Sequence, residues 1–229
     1  MTASGAGTAA VKSRNARRRT GPLRMFAKGF VKHPVMVGSI IPSSRFLIDK
    51  MLKPVDWQRA DVFVEYGPGV GTITTHILQR LKPDAVLIAF DTNPDFCDYL
   101  SNLITDSRLR IVNRSAADVA DVLTEMGFDG ADYVISGLPF STLPAGIGPA
   151  IAQATQQVLR KGGQFLVYQF SPKVLDFLKI AFQRIDRGFE LVNVPPAQLF
   201  WAHKDWSLGR PPGSAGGTLR NRRSPPGNS

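Results

Sequence analysis

The residues best suited to chemistry stand in one run, Val64-Glu65-Tyr66-Gly67-Pro68-Gly69-Val70-Gly71-Thr72. Glycine at every second position, behind an acid, lets the backbone turn tightly and lets a ligand approach with no Cβ in the way. Helical periodicity begins at Thr72, so the turn aims the free N–H groups and positive end of a helix at that ligand. Glu65 puts negative charge beside the turn and no Walker lysine follows, so a nucleotide phosphate is a poor match. The ammonium of a methionine moiety suits Glu65 better. Asp91 ends the next apolar run, 24 residues after Gly67. A carboxylate there can accept both hydroxyls of a ribose. A nicotinamide dinucleotide is the competing cofactor, but it expects G-x-G-x-x-G, and here the third glycine comes one residue early. The combination points to S-adenosylmethionine, with Glu65, Tyr66, Gly67, Gly69, Gly71, Asp91 and Thr92 as contacts.

Two later loops extend the site. Ser115 and the N–H of Ala116, in Asn113-Arg114-Ser115-Ala116-Ala117-Asp118, are candidates for the polar edge of adenine. The competing reading is a Ser/Asp cap for the next helix, and both can hold. Ser136-Gly137-Leu138-Pro139-Phe140 ends the fourth run, where strand ends face the reacting group. Ser136 is counted with the cofactor contacts, and Leu138 and Phe140 with the reaction. Phe140 can cover a methylated ammonium by cation–π attraction. Tyr168, in the fifth run, is the candidate for contacting an amine or headgroup; the alternative is a packed strand aromatic. His33 and His203 are candidate phosphate contacts, and no Asp/His dyad stands near the loop.

These residues need a scaffold that brings strand ends together. Apolar runs at 62–64, 86–90, 109–112, 133–135 and 165–170 alternate with helical patterns at 72–82, 94–104, 118–126, a stretch ending near Arg160, and 172–183. Alternation of this kind predicts a parallel sheet in an α/β fold. Two last strands, 190–194 and 198–201, are expected to close it around Pro195-Pro196.

The 229 residues allow one sizeable core. No run of 18 apolar residues predicts a membrane span, and the basic start lacks the apolar stretch of a secretory signal. The single cysteine, Cys97, excludes an internal disulfide and a cysteine zinc cluster, fits a reducing cytosol, and is expected to pack; no metal is expected. The net charge of +10 is uneven: residues 1–33 hold eight Lys/Arg and no acid, residues 203–229 carry +4, and the middle is left with −2. Basic ends suit a polyanionic partner, a membrane surface or nucleic acid, or serve only solubility.

The motifs E-Y-G-P-G-V-G-T, S-A-A-D and S-G-L-P-F, with F-V-K-H-P-V-M-V-G-S-I-I-P-S-S-R-F-L-I-D-K-M over residues 30–51, resemble the bacterial phospholipid N-methyltransferases. These are grouped with the ribosomal RNA adenine dimethylases. The resemblance covers about residues 21–205. It implies a class I methyltransferase (Rossmann-like) α/β fold with a seven-stranded sheet and an N-terminal amphipathic helix. It also implies methylation of phosphatidylethanolamine towards phosphatidylcholine, with ornithine-lipid N-methyltransferases looking similar. The segment 38–44, Ile41 included, would lie over the cofactor and substrate pocket. The RNA enzymes carry N-L-P-Y at the fourth strand end, where Asn holds the adenine amine. Gly137 has no side chain to do so, which disfavours RNA, and no helical C-terminal domain of their kind is expected. A non-catalytic cofactor-binding protein remains the third reading.

The expected divisions are a disordered basic tail at 1–20, an amphipathic helix and pocket-covering segment at 21–53, the cofactor-binding domain at 54–205 and a tail at 206–229. Leu23, Phe26, Ala27, Phe30 and Val31 share a helical face in 22–33, with Arg24, Lys28 and Lys32 on another. Such a helix can lie in a bilayer interface, placing the chain on the inner face of the cell membrane, or can dock on the protein core.

Overall fold

The computed structural model describes residues 45–192 and 196–205. The expected helix at 22–33, His33, Ile41 and both tails lie outside the described residues. Within them, β1 (Val62–Tyr66), β2 (Val86–Phe90), β3 (Leu109–Val112), β4 (Ala131–Ser136), β5 (Leu159–Gln169), β6 (Arg184–Glu190) and β7 (Ala197–His203) form one sheet, ordered β3-β2-β1-β4-β5-β7-β6. β1 to β5 pair in parallel, and β7 runs antiparallel between β5 and β6.

Both faces of the sheet are covered, which is why β1 is buried along its whole length. On one face pack α1 (Arg45–Leu52) and α2 (Thr72–Leu78). On the other pack α4 (Val119–Glu125), α5 (Ile147–Val158) and α6 (Val174–Ala181). Between β2 and β3 runs α3 (Pro94–Leu103), started by Pro94 and by Asn93, whose side chain accepts from the Asp95 N–H. The α1 stripe Leu47, Ile48, Met51 and Leu52 enters the same core as β1, and Trp201 Nε1 donates to the Met51 carbonyl at 3.0 Å. At the far end, the Asp132 carboxylate accepts from the N–H groups of Asp61 and Val62 and is held by Arg160.

Several boundaries differ from the sequence reading; the helix expected at 72–82, for one, ends at Leu78. The sixth strand is 184–190, not 190–194. Its charged sequence hides it, and charge is what an edge strand carries to avoid further pairing. The apolar Leu191 and Val192 that imitate a strand stand exposed beyond it. The helix expected to end near Arg160 ends at Val158, and β5 starts at Leu159. Gly162 and Gly163 are not a free turn, because each bonds to Lys204 backbone, and a Cβ on Gly163 would stand 2.7 Å from the Asp132 carbonyl.

Candidate functional site

The ends of β1, β2, β3 and β4 open on one cavity of about 330 Å³. That is near the lower end of the roughly 300–1,000 Å³ usual for small-molecule sites. Gly67 and Gly69 form its floor, Asp91, Thr92 and Asn93 one wall, Arg114, Ser115 and Ala116 another, and Leu138 and Pro139 a third. An apolar wall from Leu143, Pro144, Ile147 and Ile151 completes it.

Gly67, Gly69 and Gly71 all have positive φ, at 68°, 55° and 82°, which L side chains rarely adopt. A side chain at two of them would also press on a leucine. A Cβ on Gly67 would stand 2.9 Å from Leu138 Cδ2, and one on Gly71 would stand 2.6 Å from Leu100 Cδ2.

Asp91 is the cavity's carboxylate. Burial pushes it up to about 6, against the N–H groups of Asn93 and Gly69 that favour its charge. The Asn93 N–H reaches Asp91 Oδ1 at 2.8 Å, and Asn113 Nδ2 fixes the Asp91 carbonyl at 2.9 Å. Glu65 lies deeper. Burial pushes it up to about 7, opposed by the Thr74 hydroxyl, which donates to Glu65 Oε2 at 2.7 Å.

At the end of β4, Gly137 sits where a Cβ would be 3.2 Å from the Tyr168 hydroxyl and 3.1 Å from the Gly67 carbonyl. Buried Gln169 donates from Nε2 to the carbonyls of Leu138 and Tyr168, both at 2.7 Å, and so holds this loop to β5.

No family model matches the chain. An ornithine lipid N-methyltransferase of Singulisphaera acidiphila is 31% identical over 179 residues, spanning 77% of this chain and 93% of that protein. The chain belongs to the lipid N-methyltransferases.

Solved structures share the fold of this N-methyltransferase. A precorrin-6y C5,15-methyltransferase from Geobacter metallireducens matches with a TM-score of 0.56, at 16% identity over 70% of this chain and 89% of that one. The N-methyltransferase NodS from Bradyrhizobium japonicum matches at 0.55, with 11% identity over 70% and 96%. The fold is that of the class I methyltransferases, and the cofactor is S-adenosylmethionine. The cavity's chemistry fits it: glycines with positive φ and no side chain line it together with the buried carboxylate of Asp91.

Seven of the residues singled out in the sequence line the cavity: Gly67, Gly69, Asp91, Thr92, Ser115, Ala116 and Leu138. Ser115 also caps, since its hydroxyl accepts from the Ala117 N–H. Others sit elsewhere. Gly71 shapes the turn from behind and starts α2. Glu65 is beneath the turn, 2% exposed, bonded to Thr74. Tyr66 alternates to the opposite face of β1, where its hydroxyl pairs with Thr155 and its ring meets Phe90 and Phe165; it is a core residue. Ser136 is fully buried, its hydroxyl accepting from the Leu138 N–H, and so braces the loop. Phe140 is corrected outright: it is buried against Phe177 in the second core and lines no part of the cavity. The short helical turn at 140–142 folds its apolar ring inward, so it cannot cover an ammonium. Tyr168 is buried, with its hydroxyl behind Gly137, and is not among the cavity's walls. His203 pairs with Asp186 at the opposite end of the sheet, away from the cavity. Cys97 packs, with burial pushing its thiol up to about 11.

Sequence reading missed Thr74, Gln169 and the apolar wall from α5. Thr74 had a signal, a hydroxyl one turn into the helix behind an acid. Gln169 had none, because its two carbonyl partners come together only through β4–β5 pairing.

Proposed function

We propose that this enzyme methylates the free amine of an ornithine-type membrane lipid. The match along nearly the full length of a relative bearing that name supports the reading. That match is the observation that carries the headgroup choice. The one cation among the described cavity walls is Arg114, and it is already matched by Glu125 at 2.9 Å, with Asp118 and Asp121 nearby.

S-adenosylmethionine supplies a methyl group on a positively charged sulfur, open to in-line attack by an amine. Gly67 and Gly69 would hold its methionine part, Asp91 its ribose hydroxyls, and Ser115 and Ala116 its adenine edge. The chain's contribution to the transfer is alignment. Gly137 leaves room at the strand end for the acceptor nitrogen, and the Tyr168 hydroxyl beneath it accepts from that nitrogen. Only the neutral amine has the lone pair that attacks, so its ammonium gives up a proton before the transfer. The apolar wall keeps water from the rest of the cavity.

The test supplies methyl-labelled cofactor and vesicles holding ornithine lipid or phosphatidylethanolamine at equal mole fraction, with a parallel RNA arm. Label is expected chiefly in ornithine lipid. Preference for phosphatidylethanolamine would overturn the headgroup reading, and label in RNA alone would overturn the lipid reading.

A further inference from the structure

Eight large apolar side chains are well exposed among the described residues, and they are not scattered. Leu103, Met126 and Ile180 stand singly at or just beyond the last turns of α3, α4 and α6, at the end of the sheet away from the cavity. The other five lie at the cavity's end. Ile147 is at the cavity mouth. Phe46, Phe189, Leu191 and Val192 gather at one corner, 65%, 47%, 73% and 63% exposed. The strand directions put this corner there: β6 is antiparallel to β7, and β7 to β5, so β6 ends on the same side as the glycine turn. Phe46 joins it through Lys50, one turn further along α1, whose Nζ bonds the Phe189 carbonyl and pairs with Glu190.

The corner is built, not loose. Glu190, only 8% exposed, turns its carboxylate inward, accepts from the Val192 N–H at 3.0 Å and pairs with Lys50 at 3.4 Å. Its partners hold its carboxyl below the usual range, the Val192 N–H foremost. The tip thus hides its charge and presents its aliphatic side chains, the reverse of the usual surface arrangement. Basic side chains flank it: Arg45, paired with Asp49 at 3.6 Å, and the Glu190-paired Lys50 on α1, and Arg187 two residues before Phe189 on the same face of β6.

We propose that this corner, residues 189–192 with Phe46, inserts into the lipid bilayer interface and seats the cavity mouth against the membrane. The inference rests on the lipid acceptor proposed above. Exposed apolar side chains flanked by cations suit the boundary between anionic headgroups and acyl chains, where buried helix faces reach roughly 5–10 Å deep. The spacing fits as well. Three strand separations, about 14 Å, lie between β6 and β4, so a tip inserted at the edge leaves Gly137 beside the headgroup layer.

The test labels the full chain with an environment-sensitive fluorophore at Val192→Cys and, separately, at Ile180→Cys. Each is mixed with vesicles of phosphatidylglycerol and phosphatidylcholine, neither of which has a primary amine, so insertion is read apart from methyl transfer. A blue-shifted, brighter signal at 192 and none at 180 is expected. Leu191→Asp with Val192→Asp is expected to lower vesicle partition about tenfold or more while cofactor affinity, read by calorimetry, is unchanged. Equal signals at both positions, no signal at 192, no binding of the chain to these vesicles, or full partition of the double variant would each overturn the proposal. An enzyme that inserts but labels no lipid amine keeps this surface and loses the acceptor reading.

Discussion

Asp91→Asn should make the protein more stable and a poorer binder of its cofactor, and the two effects can be sized separately. Burial raises the Asp91 carboxyl from 3.8 to about 6, so the ionised form is disfavoured in the folded chain by up to about 3 kcal/mol at neutral pH. The sign follows from linkage. A carboxyl with a raised folded value contributes no penalty below about pH 4; stability falls as pH rises from there, and the full penalty stands above about pH 6. Asparagine removes the penalty but turns an amide towards one of two donors, the N–H groups of Asn93 and Gly69, which takes back about 1–2 kcal/mol. The net gain is about 1–2 kcal/mol, a rise in Tm on the order of 2–8 °C at pH 7.5 that turns into a loss of similar size near pH 4, where no penalty is left to remove. Affinity moves the other way. Two charge-assisted bonds to ribose hydroxyls become one neutral bond, a loss of about 2–3 kcal/mol or roughly 30- to 150-fold in Kd. Calorimetric titration and thermal scans across pH 4–8 read both. A variant that melts lower at pH 7.5 yet binds S-adenosylmethionine normally would refute the placement of the ribose on Asp91.

Three further outcomes are expected. Gly71→Ala combines a φ of 82° with a 2.6 Å approach to Leu100 Cδ2 and should lose about 2–3 kcal/mol, whereas Gly127→Ala, at φ 80° with nothing within 4 Å, should lose only about 1–2; urea unfolding of the pair separates clash from strain. Tyr168→Phe should leave cofactor affinity within about twofold and slow single-turnover methyl transfer about tenfold; an unchanged rate would return Tyr168 to a packing role. Asp132→Ala leaves the Asp61 and Val62 N–H groups without their carboxylate and should lower unfolding free energy by about 2–3 kcal/mol with no change in cofactor affinity, because the clasp lies at the end of the sheet away from the cavity.

Local chemistry was legible along the chain. Positive φ can be read from glycine spacing, because steric limits at 67, 69 and 71 act within a few residues, and the same holds for Pro94 and Asn93 at the start of α3. The alternation of apolar runs and helical patterns carried the parallel sheet, because strands covered on both faces must be apolar throughout. Other features needed the tertiary structure. Whether Phe140 meets ligand or core depends on a turn whose direction is set by packing against Phe177, a neighbour 37 residues away. Tyr66 and Glu65 are adjacent in sequence, yet strand alternation sends them to opposite faces, and only the identity of each face separates core from site. The charged edge strand was invisible to periodicity, since an edge is chosen by its neighbours and not by its own composition. Motif residues were therefore decided by backbone sterics that act locally. Which side chains face the cavity, and which apolar tip faces outward, was decided by long-range pairing that sequence patterns do not encode.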